Sequence, residues 1–273
     1  MRPRTLALGG LKWVAAGVDV LRSRPNGVTV LAYHRVGARS SIENDLPRSL
    51  FLRHLEELQA GDRIVELGPA LRALTSGRPL PQSDPVVLSF DDGTSDFSEV
   101  VLPLLAAFRM PATLYLATDF VEQGVSFPHG GRPLSWAALR DIVATGLVTI
   151  GSHTHTHALL DRVGPKHAAE ELDRSIGLIE DRLGVTPHDF AYPKAVPATG
   201  AVEHEVRRRF RSAALYGNRS NQYGATDLHR LARSPIQRAD AMRWFRRKTA
   251  GGMAFEDAIR RASWRIRYSR RAS

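Results

Sequence analysis

Residues 86–93 read Val-Val-Leu-Ser-Phe-Asp-Asp-Gly, an apolar run that ends in two adjacent carboxylates and a glycine. A short continuous apolar stretch stopped by a turn signal reads as a buried strand. About sixty residues later, Val148-Thr149-Ile150 leads through Gly151 into His153-Thr154-His155-Thr156-His157. Neutral imidazoles and one carboxylate can hold a divalent ion and leave positions open for water and substrate. A second carboxylate is then free to take a proton from that water. Adjacent residues point in different directions, so Asp91 and Asp92 can divide these two tasks. The competing reading is an Asx turn with Gly93 that caps the next helix. His153, His155 and His157 share a face if the segment is extended, and His153 and His157 share one if it is helical. Either geometry presents two imidazoles to one ion.

Outward from this pair, strand-like and helix-like segments alternate. Pro25-Asn26-Gly27 is a turn signal before the buried strand Val28–Ala32. A helix is expected over 49–60, a short strand at Ile64-Val65, a second helix over 67–75, and a helix over 95–108 bent at Pro103. A strand over Ala112–Leu116 follows, then a helix capped by Ser135 that runs through Ala144. Further on come a helix from Pro165 to Leu183 closed by Gly184, a strand from Asp189, a helix over 201–210, a strand over Ser212–Leu215 and a helix over Asp240–Ala250. Six or more such alternations predict parallel strands surrounded by helices. Both polar motifs directly follow apolar strands, as catalytic residues do at the C-terminal ends of strands in an α/β barrel. A doubly wound open sheet gives the same local pattern.

The chain has 273 residues, 43% of them hydrophobic, enough for a sizeable core. With no cysteine, disulfides, zinc-thiolate sites and thiol nucleophiles are excluded, so a metal must be held by His, Asp, Glu or water. The formal charge of +10 is concentrated at the ends: residues 1–25 hold five Lys/Arg against one Asp, and residues 255–273 hold six Arg against two acids. Each end therefore carries +4, leaving +2 for residues 26–254. Basic ends beside Trp13, Trp264 and Tyr268 suit peripheral contact with an anionic membrane, or are simply solvated termini. The balanced body argues against nucleic-acid binding. Leu11, Val14, Val18 and Leu21 share a helical face, whereas Lys12 and Asp19 interrupt any signal-peptide core. No run reaches the ~18 apolar residues that a membrane span requires. The expected organisation is a basic N-terminal helical segment over 1–25, a catalytic unit over 26–254 and an Arg-rich tail over 255–273, located in the cytoplasm, at most peripheral to a membrane.

Ser89-Phe90-Asp91-Asp92-Gly93 and His153-Thr154-His155-Thr156-His157 resemble the first two motifs of the polysaccharide deacetylase family, carbohydrate esterase family four. Phe190-Ala191-Tyr192-Pro193 resembles its third motif, and Ala32-Tyr33-His34-Arg35-Val36 the first-strand signature of its exopolysaccharide-cluster branch. The motifs occur in order across roughly residues 28–250. The resemblance implies a distorted (β/α) barrel, a single α/β domain that removes acetyl groups from sugars. It implies Asp91 as the base, Asp92, His153 and His157 as ligands of a divalent metal, most often Zn2+ and sometimes Co2+ or Ni2+, and the Tyr192 backbone N–H as an oxyanion donor. His155 falls at the variable position.

The chain also departs from the family pattern. Ala191 stands where an arginine commonly orients the catalytic Asp, Lys194 and Ala195 occupy the end of the third motif, and the fourth and fifth motifs are not found. The fifth normally supplies the general acid. His34 is the first substitute for that acid and His229 a weaker one, while Arg233 in Leu231-Ala232-Arg233-Ser234-Pro235 is the candidate orienter of Asp91. The expected activity is N-deacetylation of N-acetylhexosamine units in a polysaccharide or lipid-linked precursor. The alternatives are O-deacetylation of the acetyl-xylan type and a catalytically degenerate glycan-binding protein.

Overall fold

The structure is a computed structural model that describes residues 26–253 with the exception of residue 38. The expected N-terminal helical segment over 1–25 and the Arg-rich tail over 255–273 lie outside the described residues. The described residues form ten strands: β1 (Gly27–Tyr33), β2 (Arg35–Val36), β3 (Asp45–Leu46), β4 (Val86–Phe90), β5 (Ala112–Leu116), β6 (Val148–Ser152), β7 (Asp189–Ala191), β8 (Ser212–Tyr216), β9 (Asn221–Gln222) and β10 (Leu231–Pro235). Seven of them, β1, β4, β5, β6, β7, β8 and β10, pair in parallel within one sheet, and β10 returns to β1 to close the ring. The closing register sets Val30 beside Arg233 and Ala32 beside Pro235. This closure distinguishes a (β/α) barrel from the open doubly wound sheet.

Every residue of β1, β4 and β5 is buried, the condition of a parallel strand covered on one face by helices and on the other by the barrel interior. Val28, Val30, Val87, Tyr115, Ala191, Ala214 and Leu231 pack together inside the barrel, and Leu67, Ala70, Leu71 and Leu74 of the helix Leu67–Ser76 join the same cluster. The Tyr115 ring fills the interior beside Gly151, where a Cβ would stand 2.6 Å from Tyr115 Cδ1 and 2.7 Å from the Asp189 carbonyl oxygen.

The helices follow the spacing of their apolar residues. Helix Pro165–Leu183 buries Ala168, Leu172, Ser175, Leu178 and Ile179 on one face, and the chain leaves it through Gly184 at φ 67°. Ser135 Oγ accepts the Ala138 N–H at the start of helix Trp136–Ala144. The segment expected as one bent helix over 95–108 is a π-helical turn, Phe97–Val101, running into the α-helix Leu102–Phe108. Pro103 lacks an N–H and crowds the preceding turn, which widens there. Helix Ala241–Thr249 is fastened to the end of β10 by buried Lys248, whose ammonium donates to Asp240 Oδ2 and to the Pro235 carbonyl, both at 2.7 Å. On its other side, Phe245 stacks on His54 with ring centroids 3.7 Å apart, and His54 Nδ1 meets the Tyr33 hydroxyl at 3.3 Å.

Candidate metal centre and active site

Val87, Ser89 and Asp91 alternate onto one face of β4, which carries the Asp91 side chain inward at the C-terminal rim, 2% exposed. The chain then turns through Asp92 at φ 76° and Gly93 at φ 95°. Asp92 is consequently lifted onto the rim, its side chain 17% exposed. The two neighbouring carboxylates occupy different environments, one sunk in the barrel and one at its mouth.

Asp92 Oδ1 lies 3.8 Å from His153 Nε2 and 3.6 Å from His157 Nε2. The three ligand atoms lie within 4.8 Å of one another. His153 Nδ1 donates to the Ala191 carbonyl at 2.7 Å. A carbonyl only accepts, so the proton sits on Nδ1 and the Nε2 lone pair faces Asp92. Burial lowers the pKa of both imidazoles, and His157, also repelled by His153, falls to about 4. Both rings are therefore neutral at neutral pH, the form that binds metal. Two donors each about 2.1 Å from a tetrahedral zinc ion stand about 3.4 Å apart, close to the 3.8 and 3.6 Å that separate Asp92 from the two imidazoles. His155 is turned away: its Nδ1 meets Thr118 Oγ1 at 3.0 Å and its Nε2 lies 3.5 Å from Asp119 Oδ1.

Arg233 reaches Asp91 across the barrel interior. Its Nη1 donates to Asp91 Oδ1 at 2.6 Å and its Nη2 to Oδ2 at 2.9 Å, while Nη1 also lies 3.2 Å from Ser89 Oγ. The guanidinium is fully buried between the rings of Tyr115 and Tyr216, 5.2 and 5.7 Å from their centroids. Burial alone would raise the Asp91 pKa; the Arg233 charge overrides it and holds the carboxyl well below its usual range. In the third motif, the Ala191 position contributes a carbonyl to His153, and the guanidinium comes from β10.

His34 follows β1 at the same rim, with Nε2 3.0 Å from the Tyr216 hydroxyl. Its Nδ1 is buried and has no hydrogen-bond partner among the described residues. His229 stands just before the N-terminal end of β10, at the far mouth of the barrel, with Nε2 donating to the Phe210 carbonyl at 2.7 Å. Topology removes it from the site. The Tyr192 N–H, expected as an oxyanion donor, instead donates to the Ala214 carbonyl at 3.1 Å. An amide already donating between neighbouring barrel strands has no proton to offer an oxyanion.

Of two further rim residues, Tyr216 lies outside the sequence reading and Lys194 enters it only as a departure at the end of the third motif. Tyr216 ends β8 and holds His34; its position at the C-terminal end of a barrel strand is a signal that could have identified it. Lys194 follows β7 at φ 53°, close enough for its charge to bear on His157.

The parallel barrel brings two carboxylates and two convergent imidazoles to its C-terminal rim, where Asp92, His153 and His157 form a candidate site for one divalent cation. Residues 80–213 match the polysaccharide deacetylase family model, so this segment is a polysaccharide deacetylase domain. The matched segment contains Asp91, Asp92, His153 and His157 and leaves out His34 and Arg233. The chain is 23% identical over 215 residues to the YxkH protein of Bacillus subtilis (strain 168), covering 78% of this chain and 73% of that one. It is 29% identical over 143 residues to the poly-β-1,6-N-acetyl-D-glucosamine N-deacetylase of Escherichia coli (strain K12), covering 47% of this chain but only 21% of that enzyme. The deacetylase PplD of Streptococcus pyogenes, solved in complex with acetate, shares the fold with a TM-score of 0.70 at 21% identity, over 82% of this chain and 99% of that one.

Proposed function

We infer that residues 26–254 form a metal-dependent hydrolase that removes N-acetyl groups from N-acetylhexosamine units of a polysaccharide or a glycolipid precursor. One observation carries this reading: a carboxylate held ionised by Arg233 stands beside a separate Asp92–His153–His157 cluster shaped for a divalent cation. The activity named for the Escherichia coli relative supports the substrate class.

When bound by Asp92, His153 and His157, a cation such as Zn2+, Co2+ or Ni2+ supplies Lewis acidity toward water and the acetyl carbonyl. Asp91 takes the proton of the attacking water, and Arg233 fixes its orientation and keeps it ionised. The hydroxyl oxygen bonds to the carbonyl carbon as the C–N bond breaks. His34, held by Tyr216, delivers a proton to the leaving amine, so acetate and a free amino sugar result. The basic termini suit a substrate presented at an anionic membrane from the cytoplasmic side, and binding to anionic vesicles with and without residues 1–25 and 255–273 tests that placement.

The decisive assay is acetate release from N-acetylglucosamine oligomers, peptidoglycan fragments and acetylated xylan, after chelation and again after metal return. Metal-restored release from an N-acetylated substrate is expected. Release from xylan alone would make the enzyme an O-deacetylase, and release from none would leave a glycan-binding protein.

A further inference from the structure

The loop that joins the two imidazoles holds a costly conformation. Thr154 lies at φ 65° and His157 at φ 62°, a region that non-glycine residues enter rarely and that is a true outlier for a β-branched side chain. Such a loop relaxes unless its surroundings over-determine it. One edge is held by the barrel: the His153 N–H donates to the Leu116 carbonyl at 2.8 Å, and the Asp119 N–H to the His155 carbonyl at 2.9 Å.

The other edge is held by a single side chain. Glu171, 5% exposed on the inner face of helix Pro165–Leu183, accepts the His155 N–H at 3.1 Å and the Thr156 N–H at 2.8 Å on Oε2, and the Thr156 hydroxyl at 2.9 Å on Oε1. One turn further along the same face, Ser175 Oγ meets Ser152 Oγ of β6 at 2.8 Å, which indexes the helix against the strand that feeds the loop. Among the described residues Glu171 forms no ion pair. A buried carboxylate satisfied only by neutral donors is expensive to maintain, and all three of its bonds go to the ligand loop.

Resting on the metal-site reading above, we propose that Glu171 is a positioning residue that preorganises the His153–His157 loop for the cation before any cation arrives. Residues that orient metal ligands without touching the ion typically alter affinity by about 10- to 100-fold when lost. The carboxylate does this through two backbone amides and a hydroxyl instead of through an imidazole N–H. Removing the acceptor releases residues 155 and 156, lets Thr154 and His157 leave the left-handed region, and swings the His157 ring while His153 stays fixed by β6 and Ala191.

The test uses the full chain stripped of metal and titrated with Zn2+ by calorimetry or chelator competition. Glu171→Leu is expected to weaken Zn2+ binding by about 10- to 100-fold. Glu171→Gln, which keeps an oxygen acceptor for both amides, should stay within a few-fold of the wild type. In the wild-type apoprotein, hydrogen exchange at the His155 and Thr156 amides should already be slow. Equal Zn2+ affinity in Glu171→Leu, or fast exchange at those two amides, overturns the proposal. Should Glu171→Leu not fold, the exchange measurement on the wild type decides alone. If the wild type bound no Zn2+, the metal-site reading would fall, whereas slow exchange would still show the clamp.

Discussion

Arg233 and Asp91 form a two-pronged ion pair, 2.6 and 2.9 Å, from strands that do not touch: β10 and β4 are separated by β1. The side chains meet above β1 inside the barrel, both almost completely buried. Bidentate geometry fixes the carboxylate plane as well as its charge.

Arg233→Ala should lower turnover on the order of 10²-fold or more, the range expected of a displaced general base. Metal content, measured on the purified variant, should be unchanged. The sign of the pH effect follows from the pair: with the guanidinium gone, burial raises the Asp91 pKa, so the acidic limb of the kcat/KM profile moves to higher pH. A variant with a wild-type rate and profile would end the orienting role.

His34→Ala and Tyr216→Phe should be compared on an amide substrate and on an acetate ester with a good leaving group. A departing amine needs a proton, whereas a good leaving group does not, so the amide reaction should fall far more than the ester reaction. Tyr216→Phe should show the same selectivity in weaker form. Equal losses on both substrates would count against proton delivery by His34.

His54 contributes a pH-dependent component to stability. Burial lowers its pKa to about 3, so in the window between that value and about 6.5 the unfolded chain takes up a proton that the folded chain refuses. The stability it lends is complete above pH 6.5 and is lost as pH falls, by about 1.4 kcal/mol per pH unit well below 6.5. Urea unfolding at pH 7 and pH 5 should show this slope, and His54→Phe should flatten it.

Lys248 and Asp240 are fully buried against each other at 2.7 Å. Lys248→Met strands a carboxylate and should cost about 3–5 kcal/mol, whereas Lys248→Met with Asp240→Asn should regain part of that loss. A double variant no more stable than the single one would show that the ammonium acts through the Pro235 carbonyl.

Much of this was legible in the chain because it depends on local pattern. The apolar runs at 86–90, 112–116 and 148–150 became β4, β5 and β6, and Ser135, Pro165 and Gly184 bounded helices where expected. The convergence of Asp92, His153 and His157 follows from two motifs at the ends of parallel strands. Less legible were features set by closure of the ring. The strand Leu231–Pro235 reads as a mixed polar segment because Arg233 and Ser234 interrupt it, and only its pairing with β1 explains their burial. Spacing along the chain could nominate His229 as an acid but could not reveal that it precedes its strand and so faces the wrong mouth. The Tyr192 amide was misassigned because hydrogen bonding across β7 and β8 has no signature in Phe-Ala-Tyr-Pro itself. Glu171 was hidden as one acid among several on an amphipathic helix.

Strand β10 gives the molecule an order of events. A growing chain that has emerged only as far as β8 already possesses Asp91, Asp92, His153 and His157, yet its barrel is open and its central aspartate has no counter-ion. The strand that seals the ring is the one that carries the counter-ion. Completion of the architecture and arming of the chemistry are thus one step, and a fragment ending before residue 231 should be an inert product rather than a half-active one.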